Sequence, residues 1–198
     1  MAERRFNNFD QYVSQYRNIH TQNVKISGAD SFYFANHKTE LLKLYESDEK
    51  ISLLDIGCGD GTTEFFFEKQ FKLFQITGID VSEQSIALAQ QIQLDRTVFY
   101  SYDGKKIPES DNSYEIVFVA AVLHHIDFTF HKEFIEEAYR VLKPGGRLYI
   151  FEHNPYNPAT RYIVKTCEFD KDARLLRANY ACNILKKSRR SEEHTSEL

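Results

Sequence analysis

The sequence lacks the signatures of several whole classes of protein. Its longest uninterrupted apolar run, Ile116 to Leu123, is far too short to span a bilayer, so no membrane partner is expected. The opening Met-Ala-Glu-Arg-Arg-Phe-Asn-Asn has no apolar stretch, and no secretory signal is expected. Three cysteines, Cys58, Cys167 and Cys182, are odd in number and form no Cys-x-x-Cys pair. That usage predicts reduced thiols in the cytoplasm. Basic charge is not in excess either: the net charge is −4, which gives no electrostatic case for nucleic acid. No His-Glu-x-x-His or comparable ligand spacing occurs, so no metal is expected. Internal repeats and low-complexity tracts are absent too.

What is present fits one soluble domain. Hydrophobic residues make up 42% and charged residues 27% of the 198, enough for a real core. Residues 1–50 read as helical, with Phe9, Tyr12, Val13 and Tyr16 on one face and a break at Ser27-Gly28-Ala29-Asp30. A second helix is expected from Phe34 to Tyr45. From Ile51 the pattern alternates. Strands are predicted at Ile51–Ile56, Phe74–Ile79, Val98–Tyr102, Glu115–Ala120 and Arg147–Glu152. Helices are predicted at Thr62–Gln70, Glu83–Gln93 and Lys132–Leu142, the last with Phe134, Ala138, Val141 and Leu142 as its apolar stripe. Such alternation predicts an α/β fold, a mostly parallel sheet with helices on both faces. Ser82 stands where a helix N-cap belongs, and Lys143-Pro144-Gly145-Gly146 is a stop. The cluster Lys186, Lys187, Arg189 and Arg190 reads as a solvated helix end.

The richest stretch is Leu53-Leu54-Asp55-Ile56-Gly57-Cys58-Gly59-Asp60-Gly61. A strand ends in three alternating glycines and a helix follows at once. Lacking Cβ, such a turn can lay its backbone N–H groups against a ligand. A second strand ends in Asp80, roughly twenty residues on, where an acidic side chain can grip a ribose diol. Together they predict a nucleoside cofactor. In a dinucleotide turn the third glycine stands five positions after the first; here that position is Thr62, and the glycine comes one earlier, at Gly61.

This Gly-x-Gly-x-Gly spacing resembles the class I S-adenosylmethionine-dependent methyltransferases (methyltransferase type 11-like). The ordered set Leu-Asp-Ile-Gly-Cys-Gly-Asp-Gly, Gly-Ile-Asp-Val-Ser, Tyr-Asp-Gly, Val-Leu-His-His-Ile and Val-Leu-Lys-Pro-Gly-Gly strengthens it, and the likeness runs from about Phe9 to Lys187. The resemblance implies a Rossmann-like sheet, with strand order 3-2-1-4-5 visible and the last two strands of seven missing. It implies S-adenosyl-L-methionine as cofactor, S-adenosylhomocysteine as product and a small-molecule acceptor, such as a sugar or other metabolite. Asp55, Gly57, Cys58, Gly59 and Gly61 would line the methionine part, and Asp80 with Val81 the ribose. Asp103 and Gly104 would meet the adenine, and Ala120 the sulfonium. Residues 1–50 resemble a lid, with Tyr12 and Tyr16 facing the cofactor. Cys58 reads as a packing residue rather than a reactive thiol, and Phe65-Phe66-Phe67 as helix core. Glu115 departs from the aspartate common before the fourth strand.

Methyl transfer needs alignment and exclusion of water, and an oxygen or nitrogen acceptor also needs a proton acceptor. His124, His125, Glu152 and His153 lie near the carboxyl edge of the sheet, and the resemblance favours His125. The adjacent His124 and His125 are expected to diverge. Asn154, Asn157 and Arg161 are expected either as a substrate wall or as turn formers. Residues 51–189 make the cofactor domain in this reading. The final Arg190-Ser-Glu-Glu-His-Thr-Ser-Glu-Leu198 reads as a translated short-read sequencing adapter and is set apart as an artefact. Without its one arginine and three glutamates the net charge moves from −4 to about −2, which still offers nucleic acid no electrostatic attraction. Two rival readings remain open, an NAD-binding oxidoreductase and a non-catalytic cofactor-binding domain.

Overall fold

Five parallel strands build a single sheet in the order β3-β2-β1-β4-β5, as expected. The structure, a computed structural model, describes residues 31–167, 170 and 172–188. Tyr12, Tyr16 and the rest of residues 1–30 of the expected lid, the 190–198 tail, Glu168, Phe169 and Arg189 lie outside the described residues. The strands are β1 (Ser52–Ile56), β2 (Gln75–Asp80), β3 (Thr97–Ser101), β4 (Tyr114–Ala120) and β5 (Leu142–Phe151). The helices are α1 (Ser31–Lys43), α2 (Thr62–Gln70), α3 (Glu83–Ala89), α4 (His131–Val141), α5 (Pro158–Thr166) and α6 (Ala178–Ser188). None of these helices is long and apolar enough to cross a membrane.

Alternation along the strands assigns each side chain to one of two cores. On β1 and β4, Leu54, Ile56, Val117 and Val119 pack with Phe134, Ile135, Ala138 and Val141 of α4. Leu53, Ile116 and Phe118 face the other way, toward Leu42 of α1 and Phe67, Phe71 and Phe74 on and after α2. The three phenylalanines are fully buried; Phe71 and Phe74 stack at 4.1 Å, and Phe67 meets Phe118 edge-on at 5.1 Å. Each contributes about 2–3 kcal/mol by leaving water. Asp55 lies between Leu54 and Ile56, so it shares the α1/α2 face with Leu53. That parity puts a carboxylate in the core.

Several expectations shift. Of Phe65-Phe66-Phe67 only Phe67 is buried; Phe65 is 41% exposed because it lies on the opposite helix face. The helix after Ser82 stops at Ala89, not Gln93: a 3-10 turn covers Gln90–Ile92, and Gln93 takes φ 55°. The Ser82 cap is observed, its Oγ accepting from Ser85 N at 3.1 Å. Leu142 opens β5 instead of closing the helix stripe, and Ile135 completes that stripe. The Pro144-Gly145-Gly146 run is a register irregularity inside β5, between the pairs Tyr114↔Leu142 and Ile116↔Arg147. Glu115 in place of aspartate still braces the strand, accepting from Ser52 N at 2.8 Å and pairing with Lys143. Asn154 and Asn157 are backbone formers: the first accepts from Tyr156 N, and the second caps α5 ahead of Pro158. Their carboxamide oxygens hold the backbone, as the turn-forming reading expects.

Candidate active site

All the expected site residues that are described sit at the carboxyl ends of the strands. β1 pairs with β2 on one side and β4 on the other, so the chain reverses direction across the sheet at β1/β4. Open α/β sheets bind ligands at that crevice.

The glycine loop is held to the neighbouring strand. Gly57 N donates to Ile79 O at 2.7 Å and Cys58 N to the same oxygen at 3.1 Å. Gly57 has φ 85°, and a Cβ there would stand 2.3 Å from Val122 Cγ2. Beside Gly59, also at positive φ, a Cβ would meet nothing within 4 Å, which leaves the approach open to a ligand. Gly59 N donates to Asp80 Oδ2 at 3.0 Å, and Ser82 N donates to Asp80 Oδ1 at 2.9 Å. Each carboxylate oxygen of Asp80 thus accepts from a backbone amide of the turns that follow β1 and β2. Val81 follows it, half-buried. Asp103 is exposed at the end of β3 and accepts from Lys105 N and Lys106 N at 2.8 and 3.1 Å, with Gly104 at φ 71°. Thr62 closes the loop by donating its N–H and hydroxyl to Asp60 Oδ1. Cys58 is buried against Ile86, Ala89 and Phe99, and burial pushes its thiol pKa well up, as a packing residue requires.

Behind the loop lies a group that sequence reasoning missed. Asp55 is 2% exposed and faces Glu64, at 0% exposure, in the first turn of α2. Burial raises the Asp55 pKa to about 7, and burial plus the Asp55 charge raises that of Glu64 well above the carboxylate range. Asp55 Oδ1 and both Glu64 carboxyl oxygens are buried without a hydrogen-bond partner. Lys38, on the inner face of α1, has its pKa lowered by burial despite attraction from Asp55, Glu152 and Glu64. Glu64 was detectable: it lies three residues before the core residue Phe67, on the same face of α2.

A second group stands between β4 and β5. His124 and His125 lie in a 3-10 turn just past β4, and they converge: their rings are 4.0 Å apart and both face Asp170. Divergence holds for side chains alternating along a strand; in this tight turn neighbouring residues share a side. Glu152 is not a free base. Its Oε1 accepts from Val122 N and Leu123 N at 3.0 and 2.8 Å, and its Oε2 lies 2.6 Å from His124 Nδ1. Burial opposes charge on His124, yet Asp170 and Glu152 outweigh it and raise its pKa to about 9. His125 and His153 are depressed to about 3 and about 4, by burial first and then by the His124 charge. At neutral pH His124 is thus a cation and the other two are neutral. Ala120 ends β4, half-buried, and Ala121 after it takes φ 58°, a strained value for a residue with Cβ. His131, also missed, is 1% exposed and steadies the histidine turn: Nε2 lies 2.9 Å from Leu123 O and 3.0 Å from Ile126 O, and Nδ1 lies 3.0 Å from Tyr180 Oη.

Residues 54–150 match the methyltransferase-domain family. The chain carries a methyltransferase domain, of the class I S-adenosylmethionine-dependent type. It is similar to 27-O-demethylrifamycin SV methyltransferase of Amycolatopsis mediterranei, 37% identical over 101 residues, covering 48% of this chain and 36% of that enzyme. It is similar also to cycloartenol-C-24-methyltransferase 1 of Oryza sativa, 28% identical over 188 residues, covering 82% of this chain and 53% of the relative. Each alignment therefore spans about half or less of the curated relative. In structure, the fold matches phosphoethanolamine N-methyltransferase 2 of Haemonchus contortus in complex with S-adenosyl-L-methionine, with TM-score 0.68 and 20% identity over 92% of this chain and 44% of that one. The [4+2]-cyclase SpnF matches with TM-score 0.62 and 25% identity, over 77% of this chain and 57% of the other. The fold thus hosts more than one chemistry.

Proposed function

We propose that this chain binds S-adenosyl-L-methionine at the glycine loop and Asp80 and transfers its methyl group to a small-molecule acceptor in the cytoplasm. The observation that carries this is the Gly59–Asp80 hydrogen bond, which joins the loop to the carboxylate beside an open backbone approach. Asp80 holds the ribose diol. Asp55 and Glu64 take the α-ammonium group in place of the proton that burial holds on the pair, and Lys38 lies on the same side for the carboxylate. Asp103 meets the adenine amino group, and Ala120 lines the sulfonium end. The bound cofactor supplies an electrophilic methyl group.

The chain's own contribution is alignment. His125 and His153 are neutral imidazoles able to accept the acceptor's proton, whereas His124 is committed to Glu152 and Asp170. Calorimetric titration with S-adenosylhomocysteine tests the cofactor assignment, with NADH as control. Saturable binding of the homocysteine compound alone supports it; binding of NADH instead would replace it with the oxidoreductase reading. Turnover against a panel of hydroxyl, amine and carbon acceptors then separates an enzyme from a non-catalytic binding domain.

A further inference from the structure

The histidine group has geometry beyond what a proton acceptor needs. His125 Nε2 lies 3.5 Å from Asp170 Oδ1 and His124 Nε2 lies 3.8 Å from the same oxygen. One ligand atom from each of the three residues falls within 4.8 Å of the others. Ligand atoms around a tetrahedral ion at 2.0–2.1 Å stand about 3.3 Å apart, so the two histidine–aspartate distances need to shorten by about 0.2–0.5 Å and the longest side of the set by up to about 1.5 Å. Backbone bonds fix the parts: Arg174 N donates to His124 O at 2.9 Å and Asp170 N donates to Cys167 O at 3.2 Å. Glu152, 2.6 Å from His124 Nδ1, sets the ring so that Nε2 points at Asp170. A carboxylate on the far nitrogen of a histidine is the support that metal-ligating imidazoles recurrently have.

We propose that His124, His125 and Asp170 bind a divalent first-row transition ion of the zinc type, the ion displacing to solvent the proton that His124 otherwise holds on Nε2. Three protein ligands leave a coordination position open, the arrangement of a catalytic rather than a purely structural site. Asp170 also lines a groove of about 570 Å³ with Pro158, Arg161, Tyr162 and Lys165, through which an acceptor oxygen can reach that position. There the ion lowers the pKa of a bound hydroxyl, and His153 remains the neutral imidazole. Only this role in activation rests on the methyltransferase reading; the binding of the ion does not. Sequence spacing concealed the set because Asp170 enters from beyond α5.

The full chain, freed of metal by a chelator, is titrated with cobalt(II) and followed by its visible ligand-field absorption, then with zinc(II) as competitor. One equivalent of cobalt should give the bands of a low-coordinate ion, and zinc should displace it. Asp170→Asn and His125→Ala should each weaken zinc binding about a hundredfold or more, and Glu152→Gln about ten- to a hundredfold. The same variants are titrated with S-adenosylhomocysteine; retained binding shows that they are folded. Absence of the bands, or bands unchanged in folded Asp170→Asn and His125→Ala, overturns the metal site. Metal binding without cofactor binding in the unaltered chain would keep this site and remove the methyltransferase reading instead.

Discussion

The backbone amide of Gly59 donates to Asp80 Oδ2 at 3.0 Å, so the glycine loop and the second strand's terminal carboxylate form one unit. Asp80→Ala removes an acceptor for the loop as well as the proposed partner of the ribose. A charge-assisted hydrogen bond is worth about 1.5–3 kcal/mol, so S-adenosylhomocysteine affinity should fall about ten- to a hundredfold. Asp80→Asn, which keeps one oxygen, should lose less. Calorimetry that finds wild-type affinity in Asp80→Ala would remove the ribose from this carboxylate.

Gly57→Ala should be among the most damaging small substitutions. It places a Cβ at φ 85° and 2.3 Å from Val122 Cγ2. A left-handed backbone costs a residue with Cβ about 1–2 kcal/mol, and overpacking about 1–3 more. Urea unfolding of Gly57→Ala should show a total loss of about 2–5 kcal/mol. Adding Val122→Ala should return only the packing part. A loss below about 1 kcal/mol in the single variant would mean that the loop relaxes freely.

The Asp55–Glu64 pair predicts a pH dependence. The folded-state pKa of Asp55 is raised from 3.8 to about 7, so the folded chain holds a proton that the unfolded chain releases. The stability this gives is fully present below about pH 4 and is lost as pH rises through about 7. Glu64→Gln removes the coupled carboxyl and offers Asp55 an amide donor. It should flatten the stability profile between about pH 5 and 8 and raise stability by about 1–2 kcal/mol at the alkaline end. If the pair receives the cofactor's ammonium group, wild-type binding should also release protons near pH 7, seen as a buffer-dependent heat. A profile unchanged by Glu64→Gln would mean the two carboxyls do not share a proton.

Much of this was legible in the residues, for reasons the structure makes plain. The loop and Asp80 are local: a strand end, a glycine turn and a carboxylate two residues from a cap each announce themselves within a few positions. The parallel sheet followed from alternation, and its strand order from the family resemblance. Hidden features depend on faces and on distant partners. Glu64 looks like an ordinary first-turn acid until the parity of Asp55 shows that both turn inward. His124 and His125 converge because a 3-10 turn, not a strand, carries them, and Asp170 joins from far along the chain. Glu152 looked like a base candidate, but two backbone amides and His124 already occupy it.

Glu46 ties the segment before β1 to β5, an edge strand of the described sheet, and its loss tests how the sheet holds the histidine group. Its side chain is 2% exposed and pairs with Arg147 through Nε and, at 2.5 Å, through Nη2, while Tyr149 Oη donates to it at 2.5 Å. Breaking a fully buried pair costs about 3–5 kcal/mol, but Arg147 is 49% exposed and can rehydrate. Glu46→Ala should therefore cost about 1–3 kcal/mol in urea unfolding, and Glu46→Gln, which keeps an acceptor, less. Because the carboxylate is buried, high salt should change the loss little. β5 also delivers Glu152 to His124, so loosening it should weaken the histidine turn before it touches the glycine loop. Hydrogen exchange in Glu46→Ala should then rise at Leu123 and His124 while the Gly57 and Cys58 amides stay protected. Equal deprotection of both regions would show that the sheet opens as one unit.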